Sequence, residues 1–179
     1  MSAMGELAEQ LGADERTLRR SGVVRIERLS ARRARIPASE RAYLYEHWPM
    51  LSRLRRALRT EPNVAMAVVF GSVARGDDHE TSDVDLLVKL RDADPFRAAD
   101  LEGRLSEAVG RDVQVVSLAQ ADASLLAEAL KDGRVLVDRE QEWPRLQANA
   151  RRVNARARAQ RATLRREAAD AARELVGEV

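Results

Sequence analysis

A chain of 179 residues with 45% hydrophobic residues can bury a real core, and its 31 Lys+Arg against 29 Asp+Glu leave a formal net charge of only +2. The absence of cysteine excludes a disulfide framework and a thiolate metal site. No apolar run nears the roughly eighteen residues of a membrane span, and the start "MSAMGELAEQLGADE" lacks the basic-then-apolar order of a secretory signal, so the expectation is a soluble cytoplasmic protein.

Residues 4–20 read as two short helices with a turn at Gly12. "VVRIERLSARRARI" (23–36) spaces β-branched residues among arginines and suits either a ribbon or an extended linker. Pro37 and Ser39 mark a helix start, and "SERAYLYEHW" is a helical segment. "PMLSRLRRALRT" follows as a second one, with Pro49 in its first turn and Leu51, Leu54 and Leu58 on one face. "NVAMAVVF" reads as a buried strand and "SDVDLLVKL" as the next, before an amphipathic helix, "PFRAADLEGRLSEAVG", that closes at Gly110. "DVQVVSL" is a third strand, "ADASLLAEALKDG" a helix with a glycine stop, and "RVLVD" a fourth strand. Strands thus alternate with helices over 49–138, the pattern of a small α/β layer. Pro144 then opens a long Arg/Ala helix to about residue 176. Its thin seam, Leu146, Ala150, Val153, Ala157 and Leu164, needs its own domain, a second copy or a partner to lie on. Trp48 reads as core, Trp143 as an anchor for the last helix, and His47 as a surface polar residue.

The charge is segregated along this order. Residues 1–60 carry 13 Arg against 7 Asp+Glu, residues 61–138 carry 8 Lys+Arg against 16 Asp+Glu, and residues 139–179 carry 10 Arg against 6 Asp+Glu. Two basic ends suited to something anionic flank a centre suited to cations.

The centre holds "GSVARGDDHETSDVDLLV", Gly71 to Val88. A strand that delivers the chain into Gly71-Ser72 and a short helical turn makes a phosphate seat: glycine lets the backbone approach, and the serine hydroxyl and turn N–H groups donate. Asp83 and Asp85 are two apart on a strand, so their carboxylates share a face. Side by side they repel unless a cation lies between them, and Mg²⁺ takes one or two carboxylates plus substrate phosphates.

With Gly-Ser, a short helix containing Ala-Arg-Gly, and Ser-Asp-x-Asp-Leu, this stretch resembles the signature of the minimal nucleotidyltransferases, relatives of the polymerase-beta-type transferases, over about residues 49–138. The resemblance implies an α/β fold, a small mixed sheet with flanking helices. It implies that Gly71 and Ser72 hold ATP or another nucleoside triphosphate, with Arg75 near the phosphates, and that Asp83 and Asp85 ligate Mg²⁺ and serve catalysis. It also implies a third carboxylate on the following strand, where "DVQVV" places Gln114, a neutral side chain that cannot act as a base. Asp112 has the same strand parity and is the other candidate for that position. Many stand-alone members act as antitoxins that modify a tyrosine on a partner toxin, which implies a protein acceptor.

"LAEQLGADERTLRR" resembles a helix-turn-helix through Ala8, Gly12 and Leu18. Its second helix would turn Arg16, Thr17, Arg19 and Arg20 outward as possible contacts to duplex DNA; the alternative is a small helical pair that packs on the transferase domain. The expectation is therefore three segments: a basic helix-turn-helix-like piece at 1–48, a nucleotidyltransferase domain at 49–138, and an Arg/Ala-rich helix at 139–179 that can pair with a second copy. The functional expectation is Mg²⁺-dependent transfer of a nucleoside monophosphate to a hydroxyl on a protein partner. The alternative is a DNA-binding regulator or antitoxin whose transferase site is weakened by Gln114.

Overall fold

The structure, a computed structural model, describes residues 2–30, 34–92 and 94–177. Helices α1 (Ala3–Gln10) and α2 (Glu15–Arg20) precede a two-residue antiparallel ribbon, β1 (Glu27–Arg28) with β2 (Ala34–Arg35). The stretch 23–36 is thus a short ribbon, and the part of it at 31–33 lies outside the described residues. Then come α3 (Ala38–Arg59), β3 (Val64–Phe70), α4 (Gly71–Arg75), β4 (Val84–Leu90), α5 (Pro95–Val109), β5 (Val113–Ser117), α6 (Ala123–Asp132), β6 (Arg134–Asp138), α7 (Glu142–Ala148) and α8 (Ala150–Gly177). The larger sheet has the order β5-β4-β3-β6, with β4 and β5 parallel and the other pairs antiparallel. This is the α/β layer that the strand and helix alternation predicts, with the mixed sheet and flanking helices that the resemblance implies.

Local signals account for most boundaries. Ser2, Asp14, Asp94 and Asp122 each accept a backbone N–H at a helix start, the usual role of a short polar side chain there. β3 is buried along its whole length, as expected of an inner strand covered on both faces.

Two boundaries differ from the sequence reading. The segments around Pro49 are one continuous helix, α3, with Pro49 inside it. The carbonyl that Pro49 leaves unbonded belongs to Tyr45, four residues back. Tyr45 and Pro49 both lie on the exposed face, where water can serve that carbonyl, while Leu44, Trp48, Leu51, Leu54 and Leu58 form an unbroken buried face. In the other case, the C-terminal helix is two helices. Asn149 caps α7, its side-chain amide donating to the Arg145 carbonyl at 2.9 Å, and α8 starts after it.

The core forms two clusters. One joins Leu7, Leu18 and Val23 to Leu44, Leu51, Leu54, Val69, Leu86 and Leu105; the other joins Met66, Val68, Phe70, Leu87 and Trp143. Each fully buried leucine contributes about 1.5–3 kcal/mol relative to exposure. Trp48 is core, and Trp143 packs under the sheet while its backbone N–H donates to Asp138.

Candidate functional site

β3 ends at Phe70, whose register partner on β4 is Asp85. The chain then turns at Gly71 with φ +72°, in the left-handed region. A Cβ built there would lie 2.5 Å from Asp85 Oδ2. Only glycine permits both this backbone and this approach, so the Gly-Ser turn and the Asp85 carboxylate form one packed unit. The Ser72 hydroxyl has no protein partner among the described residues, so it is free to donate outward.

Asp83 is exposed at the entry to β4 and Asp85 is half-buried within it, one pleat apart on the same side. Burial, the Glu128 carboxylate and Asp83 together push the Asp85 carboxyl above its ordinary value, against the pull of Arg75. Asp85 thus carries charge at a cost that a cation would offset. Gln114 on β5 is the register partner of Asp85 and exposed, while the Asp112 carbonyl accepts the Val84 N–H at 2.8 Å beside Asp83. Among the described residues no group of three or more His, Cys, Asp or Glu is close enough to hold a metal ion by itself. Two carboxylates still fit Mg²⁺, which keeps several waters and takes its remaining ligands from substrate phosphates. Asp83 and Asp85 are the residues that could hold it.

Arg75 projects from α4 toward α6, where it meets Glu128 at 3.3 Å and Asp132 at 3.8 Å, and turns back to Asp77 at 3.0 Å. These carboxylates fix the guanidinium against α6, within electrostatic reach of Asp85. Arg16, Arg19 and Arg20 are exposed on α2, with Arg19 bonded to Glu15 of its own helix; Thr17 is partly buried. They lie on the N-terminal helical pair, which packs through Leu7 and Leu18 into the main core.

Residues 52–142 match the family described as "Polymerase beta, Nucleotidyltransferase". The chain belongs to that family. Among solved structures, a chain from a toxin-antitoxin complex with AMP-PNP is 23% identical, with a TM-score of 0.57, over 66% of this chain and 97% of that one. A chain from the MntA-HepT toxin-antitoxin complex is 20% identical, with a TM-score of 0.54, over 68% of this chain and 97% of that one. A chain from the tri-AMPylated Shewanella oneidensis HEPN toxin in complex with MNT antitoxin gives 20% and 0.54, over 68% and 98%. At these identities the likeness is one of fold. No curated protein matches the chain.

This nucleotidyltransferase-family chain also holds its motif loop in a way the sequence reading does not anticipate. His47 is buried, not a surface residue: its Nε2 lies 2.7 Å from Asp78 Oδ1, its Nδ1 2.9 Å from the Tyr43 carbonyl, and its ring stacks on Tyr43 at 4.3 Å. Arg111 binds the other Asp78 oxygen at 2.9 Å and donates to the His79 and Ser82 carbonyls. The loop between α4 and β4 is thereby tied to α3 on one side and to the start of β5 on the other. A second buried pair, Arg134 with both Glu40 oxygens at 2.6 and 3.1 Å, also donates to the Ala74 carbonyl at 2.8 Å and stacks on Tyr43. Gly76, at φ +80°, makes room for the Tyr43 ring; a Cβ there would sit 2.9 Å from it. Tyr43, His47 and Leu51 recur every fourth residue, and that spacing is the sequence signal that places His47 on the buried face.

Proposed function

We propose that the chain transfers a nucleoside monophosphate from a nucleoside triphosphate to a hydroxyl of a protein partner. The observation that carries this reading is the close approach of the Asp85 carboxylate to Gly71 at φ +72°, which sets an acid pair and a free serine hydroxyl around one strand-to-turn junction. In this reading Gly71 and Ser72 bind the triphosphate and Asp83 and Asp85 hold Mg²⁺. Magnesium, when bound, neutralises phosphate charge and orients the α-phosphorus. The acceptor oxygen forms a bond to that phosphorus, the bond to the β-phosphate oxygen breaks, and pyrophosphate leaves. Gln114 offers no base, so the hydroxyl proton leaves to water. Arg75, held by Glu128 and Asp132, keeps a positive charge beside the departing group. The AMPylated toxin in the similar complex supports a toxin-like protein as acceptor.

Gln114 favours a second reading, a regulator whose site binds nucleotide or partner without turnover. The test is to incubate the purified chain with Mg²⁺ and ATP labelled at the α-phosphate in an extract of its own cells. Asp83→Asn/Asp85→Asn and Gln114→Asp run beside it. The transferase reading expects label on a protein with the wild type, none with the double variant, and more with Gln114→Asp. Label from Gln114→Asp alone supports the second reading. Transfer that survives both Asp substitutions removes the acid pair from the mechanism.

A further inference from the structure

Five arginines converge in a groove on the edge of the sheet that β6 forms, at the opposite edge from β5. A groove of about 1060 Å³ runs between α2, the C-terminal part of α3 and the outer edge of β6, and Arg16, Arg20, Arg55, Arg59 and Arg139 line it. Its one acidic lining residue, Asp138, is engaged in accepting the Glu142 and Trp143 N–H groups. A second hollow of about 450 Å³ shares Thr17, Arg55 and Arg59 with it and adds Arg56; Asp14 is the one acid there, and it caps α2. The two hollows form a continuous basic track.

The arginines fall into two sets. Arg55 and Arg139 are fixed by the fold: Arg55 donates to the Leu136 and Arg20 carbonyls, and Arg139 to the Leu58, Arg59, Glu61 and Val64 carbonyls around the end of α3. Arg16, Arg20, Arg56 and Arg59 are exposed and have no carboxylate partner among the described residues. Burial and then the like charge of Arg59 lower the proton affinity of Arg55, which fits a track of uncompensated positive charge.

The geometry points to a binding track for the phosphodiester backbone of a duplex nucleic acid, separate from the nucleotide site. Planar guanidinium groups match phosphate oxygens, and several in a row match a repeating charge. A protein occupant would need large exposed apolar or aromatic anchors, whereas in the groove Leu136, Val137 and Trp143 are all under 10% exposed, Val135 is partly buried, and the exposed Pro144 is small. The same lack of exposed aromatics disfavours a single strand, which binds by base stacking. Recognition here is of charge and shape. The track reaches Asp138, the partner of Met66, whereas the acids flank Phe70. Four residues of strand, about 13 Å, separate those two positions.

The test measures anisotropy of the full chain with a labelled duplex of about 20 base pairs across about 50–200 mM salt. A plot of log affinity against log salt should fall with a slope of about −3 to −5, at about 0.9 per neutralised phosphate. Arg16→Ala/Arg20→Ala/Arg59→Ala should flatten the slope by about 2–3, with its melting temperature checked against the wild type. The same three positions changed to Lys should retain the slope, and Arg19→Ala, outside the track, should leave it unchanged. Salt-insensitive or absent binding overturns the proposal, as does a triple variant that binds like the wild type. Loss on Arg19→Ala equal to that of the triple variant would put the contact on the outer face of α2, as the helix-turn-helix resemblance implies, and would overturn the track. Tighter binding of a single strand, or displacement by polyglutamate as effective as by duplex, would also overturn it.

Discussion

At Asp78 a carboxylate exposed to only 7% receives His47 from α3 and Arg111 from the start of β5. Burial alone would raise its pKa, but the hydrogen bonds from His47 and Arg111 outweigh it and hold the carboxyl below its usual range. A depressed carboxyl contributes stability above its unfolded value, and that stability is lost as pH falls through the lower folded value. Asp78→Asn is therefore expected to cost about 1–3 kcal/mol in urea unfolding at neutral pH, because it weakens two charge-assisted hydrogen bonds while Arg111 keeps the His79 and Ser82 carbonyls. The difference from the wild type should shrink as pH drops below about 4. A penalty that stays constant down to acid pH would show that packing, not charge, is what Asp78 supplies. Gly71, Asp83 and Asp85 were legible because a two-residue spacing on a strand and a glycine at its end have local meaning. His47, Asp78 and Arg111 come from three separate stretches, and only the fold brings them to one point.

α8 shows two environments along one helix. Its first part lies on α6, with Ala157 buried and Gln160 donating to Asp122 at 3.1 Å, while residues 161–173 are all exposed, including Leu164 at 56%. A chain ending at Ala162 should melt within roughly 1–2 °C of the full one, since exposed positions contribute little. A chain ending at Asn149 should melt several degrees lower, because it uncovers the α6 face that Ala157 covers. Calorimetry distinguishes the two, and equal losses would mean that the outer half is packed after all. The helical period and alanine content announced this element. The break at Asn149 and the continuity through Pro49 were hidden, because each depends on which side of a helix faces water rather than on residue type.

The N-terminal helices are part of the same hydrophobic unit as the sheet: Leu7 and Val23 are 1% exposed and Leu18 is 0%, packed with Leu44 and Leu51 of α3. Deleting residues 1–36 is expected to expose the α3 face and abolish cooperative folding. In the intact chain, Trp48 reports one core cluster and Trp143 the other, and single-tryptophan variants should show one coincident urea transition. Two separated transitions would divide the molecule into independent units. The succession of strands and helices along the chain, and the place of the motif between the first two long strands, could be anticipated from alternation and spacing. The joining of the N-terminal helices to the domain was one of two readings left open, because amphipathic helices of that length look alike whether they dock on their own chain or on another molecule.

The 28 residues of α8 make a rod of about 42 Å. Its seated end adjoins the cavity that Arg75, Glu128 and Arg161 share, and its later turns are exposed through residue 173. A body that grips the free end is held at a distance set by the number of helical turns, so the rod acts as a gauge. Inserting or removing residues in its outer half would shift the gripped body along the axis by about 1.5 Å and around it by about 100° per residue. Reach and angle would then change together, and full alignment would return only after whole numbers of turns.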